Sequence, residues 1–140
     1  MRKRNIASWL LLVALSACAK EPEPQPFVIS DPPSYMMFFG WDQTSLSQQA
    51  LATINQVANA YKAKGNARVT VNGHTDTSGP ASYNMALSLR RANAVKGALQ
   101  SDGVPAAAII IIGRGETQPL VLTPDDVREA QNRRVEIWLQ

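Results

Sequence analysis

The sequence predicts an α+β domain in the order β-α-β-α-β-(short α)-β. Two long stretches carry apolar residues at three- and four-residue spacing, as amphipathic helices require. Short β-branched or alternating runs between them have the length and pattern of strands. Gly, Pro, Asn and Asp break the chain at the junctions. Helix crossovers of this kind set parallel strands side by side, with both helices packed on the sheet. A chain of 140 residues with this composition holds one globular domain.

The charge balance lies outside that domain. Net charge is +3, and Arg2, Lys3 and Arg4 account for all of it: removing them from fourteen Lys and Arg leaves eleven, against eleven Asp and Glu beyond Cys18. The remainder is formally neutral, so nothing points to nucleic acid or to an anionic membrane surface. Residues 2–4 form a basic n-region. Ile6 to Leu15, apolar apart from Ser8, is too short to span a bilayer and reads as a signal-peptide h-region. Leu15-Ser16-Ala17-Cys18 resembles a lipobox, where bacteria attach a diacylglycerol to the cysteine and cut before it. Residues 1–17 are then a lipoprotein signal peptide, and Cys18, the sole cysteine, is the lipidation site. The alternative is a simple secretory signal with an incidental cysteine. Ala19 follows, where aspartate would resemble the inner-membrane retention signal of many Gram-negative bacteria, so the outer membrane is expected. From there to Pro33, five prolines favour extended conformations at ~3.1 Å per residue, a tether reaching up to ~45 Å. The folded domain is expected over residues 34–140.

Tyr35 to Phe39 is apolar and aromatic and reads as the first strand. Ser47 fits a helix N-cap, with Leu46 and Leu51 placed as a hydrophobic staple. Leu46, Ala50, Leu51, Ile54, Val57, Ala58 and Tyr61 make the apolar face, and Gly65 is a good C′ stop. Val69 to Gly73 is the second strand. The second helix starts after Pro80, or afresh at Ser88, and ends near Asp102-Gly103. Ile109 to Ile112 is a continuous apolar run, expected to be a central strand buried on both faces. Thr123, with Pro124 at the first helical position and Asp125 and Asp126 behind it, predicts a short helix. Val135, Ile137 and Leu139 alternate with Arg134, Glu136 and Trp138 and close the chain on a strand. No stretch beyond the leader is long and apolar enough for a transmembrane helix.

The second helix contains an anomaly. At about 100° per residue, Leu87, Ala94, Val95, Ala98 and Leu99 share one apolar arc, and Arg91 falls in its middle. Arg90, Asn93 and Lys96 lie outside it. A core-facing arginine needs a partner, because an unpaired buried charge is costly. The nearest upstream carboxylate is Asp76, just past the second strand, whereas Asp102 is about three helical turns away. Two readings remain open: a structural salt bridge or snorkelling side chain, or a zwitterion site with one fixed anion and one fixed cation in a groove.

Gly73-His74-Thr75-Asp76, Gly79, Tyr83-Asn84, Leu87-Ser88, Arg91-Ala92 and Val95, followed by Asn132-Arg133-Arg134-Val135, resemble the signature of OmpA-like peptidoglycan-binding domains. The resemblance runs from about Ser34 to the C-terminus. It implies a mixed sheet with the helices packed on one face. It also implies non-covalent binding of the diaminopimelate-bearing peptide stem of peptidoglycan, by an outer-membrane lipoprotein whose domain faces the periplasm. By this resemblance Asp76 meets the ammonium of diaminopimelate and Arg91 its carboxylate. Asn84 and one or both of Arg133 and Arg134 occupy further groove positions, Leu87 sits at the groove wall, and Thr75 and Thr77 offer backbone N–H donors. Asp42, after Trp41, is a weaker candidate. No cofactor is implied. Envelope proteins such as Tol components are possible partners by family membership alone. The other reading of the family is a protein-interaction or structural module with weak or no wall binding.

Catalysis is the rival of another class. His74, the single histidine, and Asp76 are two residues apart and would share a strand face as base and orienter. A nucleophile is then missing: there is no Gly-x-Ser-x-Gly elbow, and Cys18 is taken by lipid. One histidine and one cysteine argue against a zinc site, and no close carboxylate pair suited to glycoside hydrolysis is evident. His74 is expected to bond backbone at the strand end.

Overall fold

The computed structural model describes residues 33–140. The expected signal peptide, the lipidated Cys18 and nearly all of the tether lie outside the described residues. Strand β1 spans Tyr35–Phe38, helix α1 Gln48–Lys64, strand β2 Val69–Gly73, helix α2 Ala81–Ser101, strand β3 Ile109–Gly113 and strand β4 Arg134–Leu139. Single 3-10 turns at Ala106–Ala108 and Ala130–Asn132 precede β3 and β4.

The helices form where their sequence signals stand. The Ser47 hydroxyl accepts from the Ala50 amide at 3.1 Å and starts α1. Gly65 ends it at φ 83°, a left-handed conformation open to glycine, with its N–H on the Tyr61 carbonyl. Helix α2 runs unbroken from Ala81 behind Pro80. Ser88 therefore lies mid-helix, where its hydroxyl donates to the Met85 carbonyl and accepts from the Gly115 amide. Leu46 packs against the core, but Leu51 is half exposed, so the expected staple leaves Leu51 at the surface.

The sheet is mixed, in the order β1-β4-β2-β3. β2 and β3 run parallel, whereas β4 is antiparallel to both β1 and β2. The last strand thus enters between β1 and β2, with Val71 opposite Ile137 and Met37 opposite Val135. Alternate residues Met37, Val69, Val71, Val135 and Ile137 join Ile54, Val57 and Ala58 of α1 and Ala92, Val95 and Leu99 of α2 in one core. Both helices cover the same sheet face. The other face carries Met36, Phe38, Thr70, Asn72, Arg134, Glu136 and Trp138 by alternation.

Two expectations are corrected. β3 is an edge strand, bonded only to β2, and Ile110 is 42% exposed. An apolar run reports burial on at least one face; it does not report rank in the sheet, which the returning β4 decides. The short helix expected at Pro124 is absent, and residues 123–127 form a turn with Asp126 at φ 58°. The Thr123 side chain, expected to cap that helix, instead meets the Thr77 hydroxyl at 3.1 Å.

α2 lies unusually close to β2. A Cβ on Gly73 would stand 1.9 Å from the Ser88 carbonyl oxygen, so only glycine permits this approach. The contact brings Arg91, one turn further along α2, over the end of β2 and under the loop between β1 and α1.

Candidate functional site

Past Gly73 the chain leaves the sheet, and alternation stops ordering the side chains. The Asp76 carboxylate turns to the helix side and is 3% exposed. One oxygen accepts from the Ser78 amide at 3.2 Å and from the Ser78 hydroxyl, an Asx turn encoded by the Asp-x-Ser spacing. The other accepts from the Glu129 amide at 3.2 Å and from Arg133 Nη1 at 3.3 Å. Asp76 is therefore paired with Arg133.

Arg91 is fully buried without a carboxylate at hand. Its Nε donates to the Gln43 carbonyl at 2.9 Å, Nη1 to the His74 carbonyl at 2.9 Å and Nη2 to the Gly40 carbonyl at 3.1 Å. Its guanidinium also lies 5.2 Å from the Phe39 ring centroid. Burial pushes the group down to about 10, while Asp76 nearby opposes that shift, so it stays cationic at neutral pH. Of the readings left open for the helical-arc anomaly, the Asp76–Arg91 salt bridge is not made: backbone carbonyls from two loops satisfy three of the guanidinium's donors and leave its charge in place.

A groove of about 430 Å³ opens between the loops and the N-terminal half of α2. Asp76, Asn84, Leu87, Arg91, Arg133 and Asp42 line it, with Arg91 on the floor. Asn84 Nδ2 is held by the Asp76 carbonyl at 3.3 Å, the Gly79 carbonyl at 3.4 Å and Glu116 Oε2 at 2.6 Å. Asp42 accepts from the Tyr83 hydroxyl, and this bond raises the Tyr83 phenol above its ordinary value. The structure decides between the two consecutive arginines. Arg133 reaches the groove and donates to the Phe39 carbonyl at 3.1 Å. Arg134, the first residue of β4, points to the opposite sheet face, where Nε meets Glu136 Oε1 at 2.7 Å.

Two further expectations, for Thr75 and His74, are corrected. The Thr75 amide is spent on the Gly115 carbonyl at 2.9 Å, its side chain is buried, and it does not line the groove. Thr77 is also outside the groove wall; its hydroxyl donates to the Pro124 carbonyl at 2.7 Å and accepts from the Val127 amide at 3.1 Å, fastening that loop. His74 does not bond backbone through its ring. Nε2 lies 3.5 Å from Glu136 Oε2 on the sheet face away from the helices, an ion-pair contact when the ring is protonated rather than a made hydrogen bond. His74 and Asp76 consequently face different sides and form no base–orienter pair. Burial pushes the Glu136 carboxyl up, but its neighbours His74 and Arg134 outweigh that and hold it below its ordinary value.

Ser78, Tyr83, Asp126 and Arg128 also line the groove, and Trp41 stands with them. The Asp-x-Ser spacing signals Ser78. Arg128 carries no legible signal, because Thr123-Pro124-Asp125-Asp126 predicts a short helix just before it.

The family model described as the OmpA family matches residues 38–133. An outer membrane protein of Gluconacetobacter diazotrophicus is 47% identical over 76% of this chain and 30% of its own length. A peptidoglycan-associated lipoprotein of Pseudomonas putida is 40% identical over 71% of this chain and 60% of its own length. The chain thus spans less than two thirds of these curated relatives. The crystal structure of the peptidoglycan-associated lipoprotein from Burkholderia pseudomallei superposes with a TM-score of 0.70 at 33% identity, covering 75% of this chain and 89% of that one. With a family match over most of its length and a mixed sheet under two helices, this chain belongs to the OmpA family.

Proposed function

We propose that the groove binds the diaminopimelate-bearing peptide stem of peptidoglycan non-covalently. In this reading the chain is an outer-membrane protein, anchored by lipid on Cys18, whose periplasmic domain holds that membrane to the wall. One observation carries the reading: a buried carboxylate, Asp76, and a buried guanidinium, Arg91, line the same groove. The end of a diaminopimelate side chain bears an ammonium and a carboxylate on one carbon, the complementary pair. A guanidinium has five N–H donors, and Arg91 uses three on carbonyls, leaving one on each terminal nitrogen for a ligand carboxylate. Asp76 takes the ammonium and shares its charge with Arg133. Asn84, Leu87 and Asp42 complete the walls. Relatives named peptidoglycan-associated lipoprotein support the same ligand class and an envelope location.

The reading includes no catalysis, and the purified protein is expected to release no soluble muropeptides. Binding is tested with full-length protein in neutral detergent, by co-sedimentation with purified peptidoglycan and by calorimetry with a diaminopimelate stem peptide. A charge-assisted hydrogen bond contributes about 1.5–3 kcal/mol, so Asp76→Asn should weaken binding by roughly one to two orders of magnitude. Sedimentation that neither free stem peptide nor Asp76→Asn reduces would refute the assignment. A second reading, a protein-interaction module serving envelope partners such as Tol components, draws support from the internal pairing of Asp76 with Arg133 at 3.3 Å. It predicts no sedimentation with the wall. Lipid attachment is checked by mass spectrometry of the mature N-terminus, and an unmodified Cys18 would sink the anchor.

A further inference from the structure

Three arginines and three aspartates line the groove: Arg91, Arg128 and Arg133 against Asp42, Asp76 and Asp126. Two of the arginines are committed, Arg91 to three carbonyls and Arg133 to Asp76 and the Phe39 carbonyl. Arg128 is different. Its guanidinium lies 3.7 Å from the centroid of the Trp41 ring and takes part in no ion pair among the described residues. Stacking leaves the donor edges of a guanidinium free while fixing its plane. The platform is itself fixed. Trp41 Nε1 donates to the Ser78 hydroxyl at 3.1 Å, and that hydroxyl donates to Asp76. An uncommitted cation is therefore held at the exposed rim by a chain of contacts that ends on the buried anion.

We propose that Arg128 is a second carboxylate-binding position of this groove, and that it takes a carboxylate of the stem peptide lying outside the diaminopimelate residue. The proposal rests on the stem-peptide reading above. Depth separates the two positions: Arg91 forms the buried floor, and Arg128 stands exposed at the rim beside Trp41. A single carboxylate seated on the floor is not the one that the rim arginine meets. The stem peptide supplies two candidates, the free α-carboxyl of its γ-linked glutamate and its C-terminal carboxyl. Pre-ordering on Trp41 lowers the entropy cost of the new ion pair, which an unstacked surface arginine would have to meet in full.

The test is calorimetry on full-length protein in neutral detergent, with wild type and Arg128→Gln. The probes are the tetrapeptide L-Ala-γ-D-Glu-meso-diaminopimelate-D-Ala and two derivatives, one amidated at the glutamate α-carboxyl and the other at the C-terminus. Wild type should bind the free acid about three- to tenfold more tightly than one of the two amides. Arg128→Gln should bind the free acid as weakly as wild type binds that amide, and should not distinguish the two. The amide that shows the loss identifies the carboxylate. Equal binding of all three probes by wild type overturns the proposal, as does discrimination that survives in Arg128→Gln. Failure of wild type to bind any probe overturns the stem-peptide reading itself, a distinct outcome. A thermal melt of Arg128→Gln within about 2–3 °C of wild type is expected for an exposed residue.

Discussion

Replacing Arg91 by alanine tests whether this arginine fastens the domain. Truncation removes three hydrogen bonds at once and orphans the carbonyls of Gln43 and His74, while the Gly40 carbonyl keeps the Gln43 amide at 3.2 Å. The bond to His74 is buried, so its acceptor loses about 1–3 kcal/mol. The other two are partly buried, and water restores part of their loss, leaving about 0.5–1.5 kcal/mol each. The gross cost is roughly 2–6 kcal/mol, and releasing a charge from burial returns some of it. A net loss of about 2–3 kcal/mol corresponds to a Tm lower by roughly 8–20 °C in a domain of this size. Differential scanning calorimetry and urea titration measure it. Arg91→Lys should recover only part, since one ammonium cannot span three carbonyls set around a planar fork. Arg90→Ala is the control: Arg90 is exposed, 5.4 Å from the Tyr83 ring, and its loss should shift Tm by no more than 2–3 °C. If Arg91→Ala melts like wild type yet loses stem-peptide binding, the guanidinium serves the ligand alone and the carbonyl contacts contribute nothing.

Other outcomes follow from single contacts. Gly73→Ala places a methyl 1.9 Å from the Ser88 carbonyl, so α2 must lift from β2; a loss of about 3 kcal/mol or more is expected in urea unfolding. The depressed Glu136 carboxyl contributes stability that is present above the ordinary glutamate pKa and lost as pH falls through its lower folded-state value. Glu136→Gln should therefore cost stability at neutral pH, and the gap to wild type should narrow on acidification through that window; a gap that widens there contradicts the assignment. Thr77→Val should free the loop at residues 123–127, read as faster amide exchange at Val127, whose N–H the Thr77 hydroxyl now accepts at 3.1 Å.

What depends on near neighbours can be read from the chain alone. Both long helices follow from side-chain spacing, and the limits of the first from Ser47 and Gly65, because caps and amphipathic stripes are set within a few residues; the start of the second, at Pro80 or at Ser88, stays open. Arg91 was visible as a misplaced charge for the same reason, and Asp76 as a carboxylate just past a strand. What answers them comes from residues far away in the chain. The three carbonyls that hold Arg91 come from positions 17, 48 and 51 residues away, and the arginine that pairs with Asp76 from 57 residues away. No periodicity reports such distances. Strand rank was equally hidden: Ile109 to Ile112 reads as interior, yet β4 returns to the middle and leaves β3 at the edge. The direction of that return also separates Arg133 from Arg134. Once β4 lies antiparallel between β1 and β2, Val135 and Ile137 must face the helices, so Arg134 takes the opposite face and Arg133, one residue before the strand, is released into the groove.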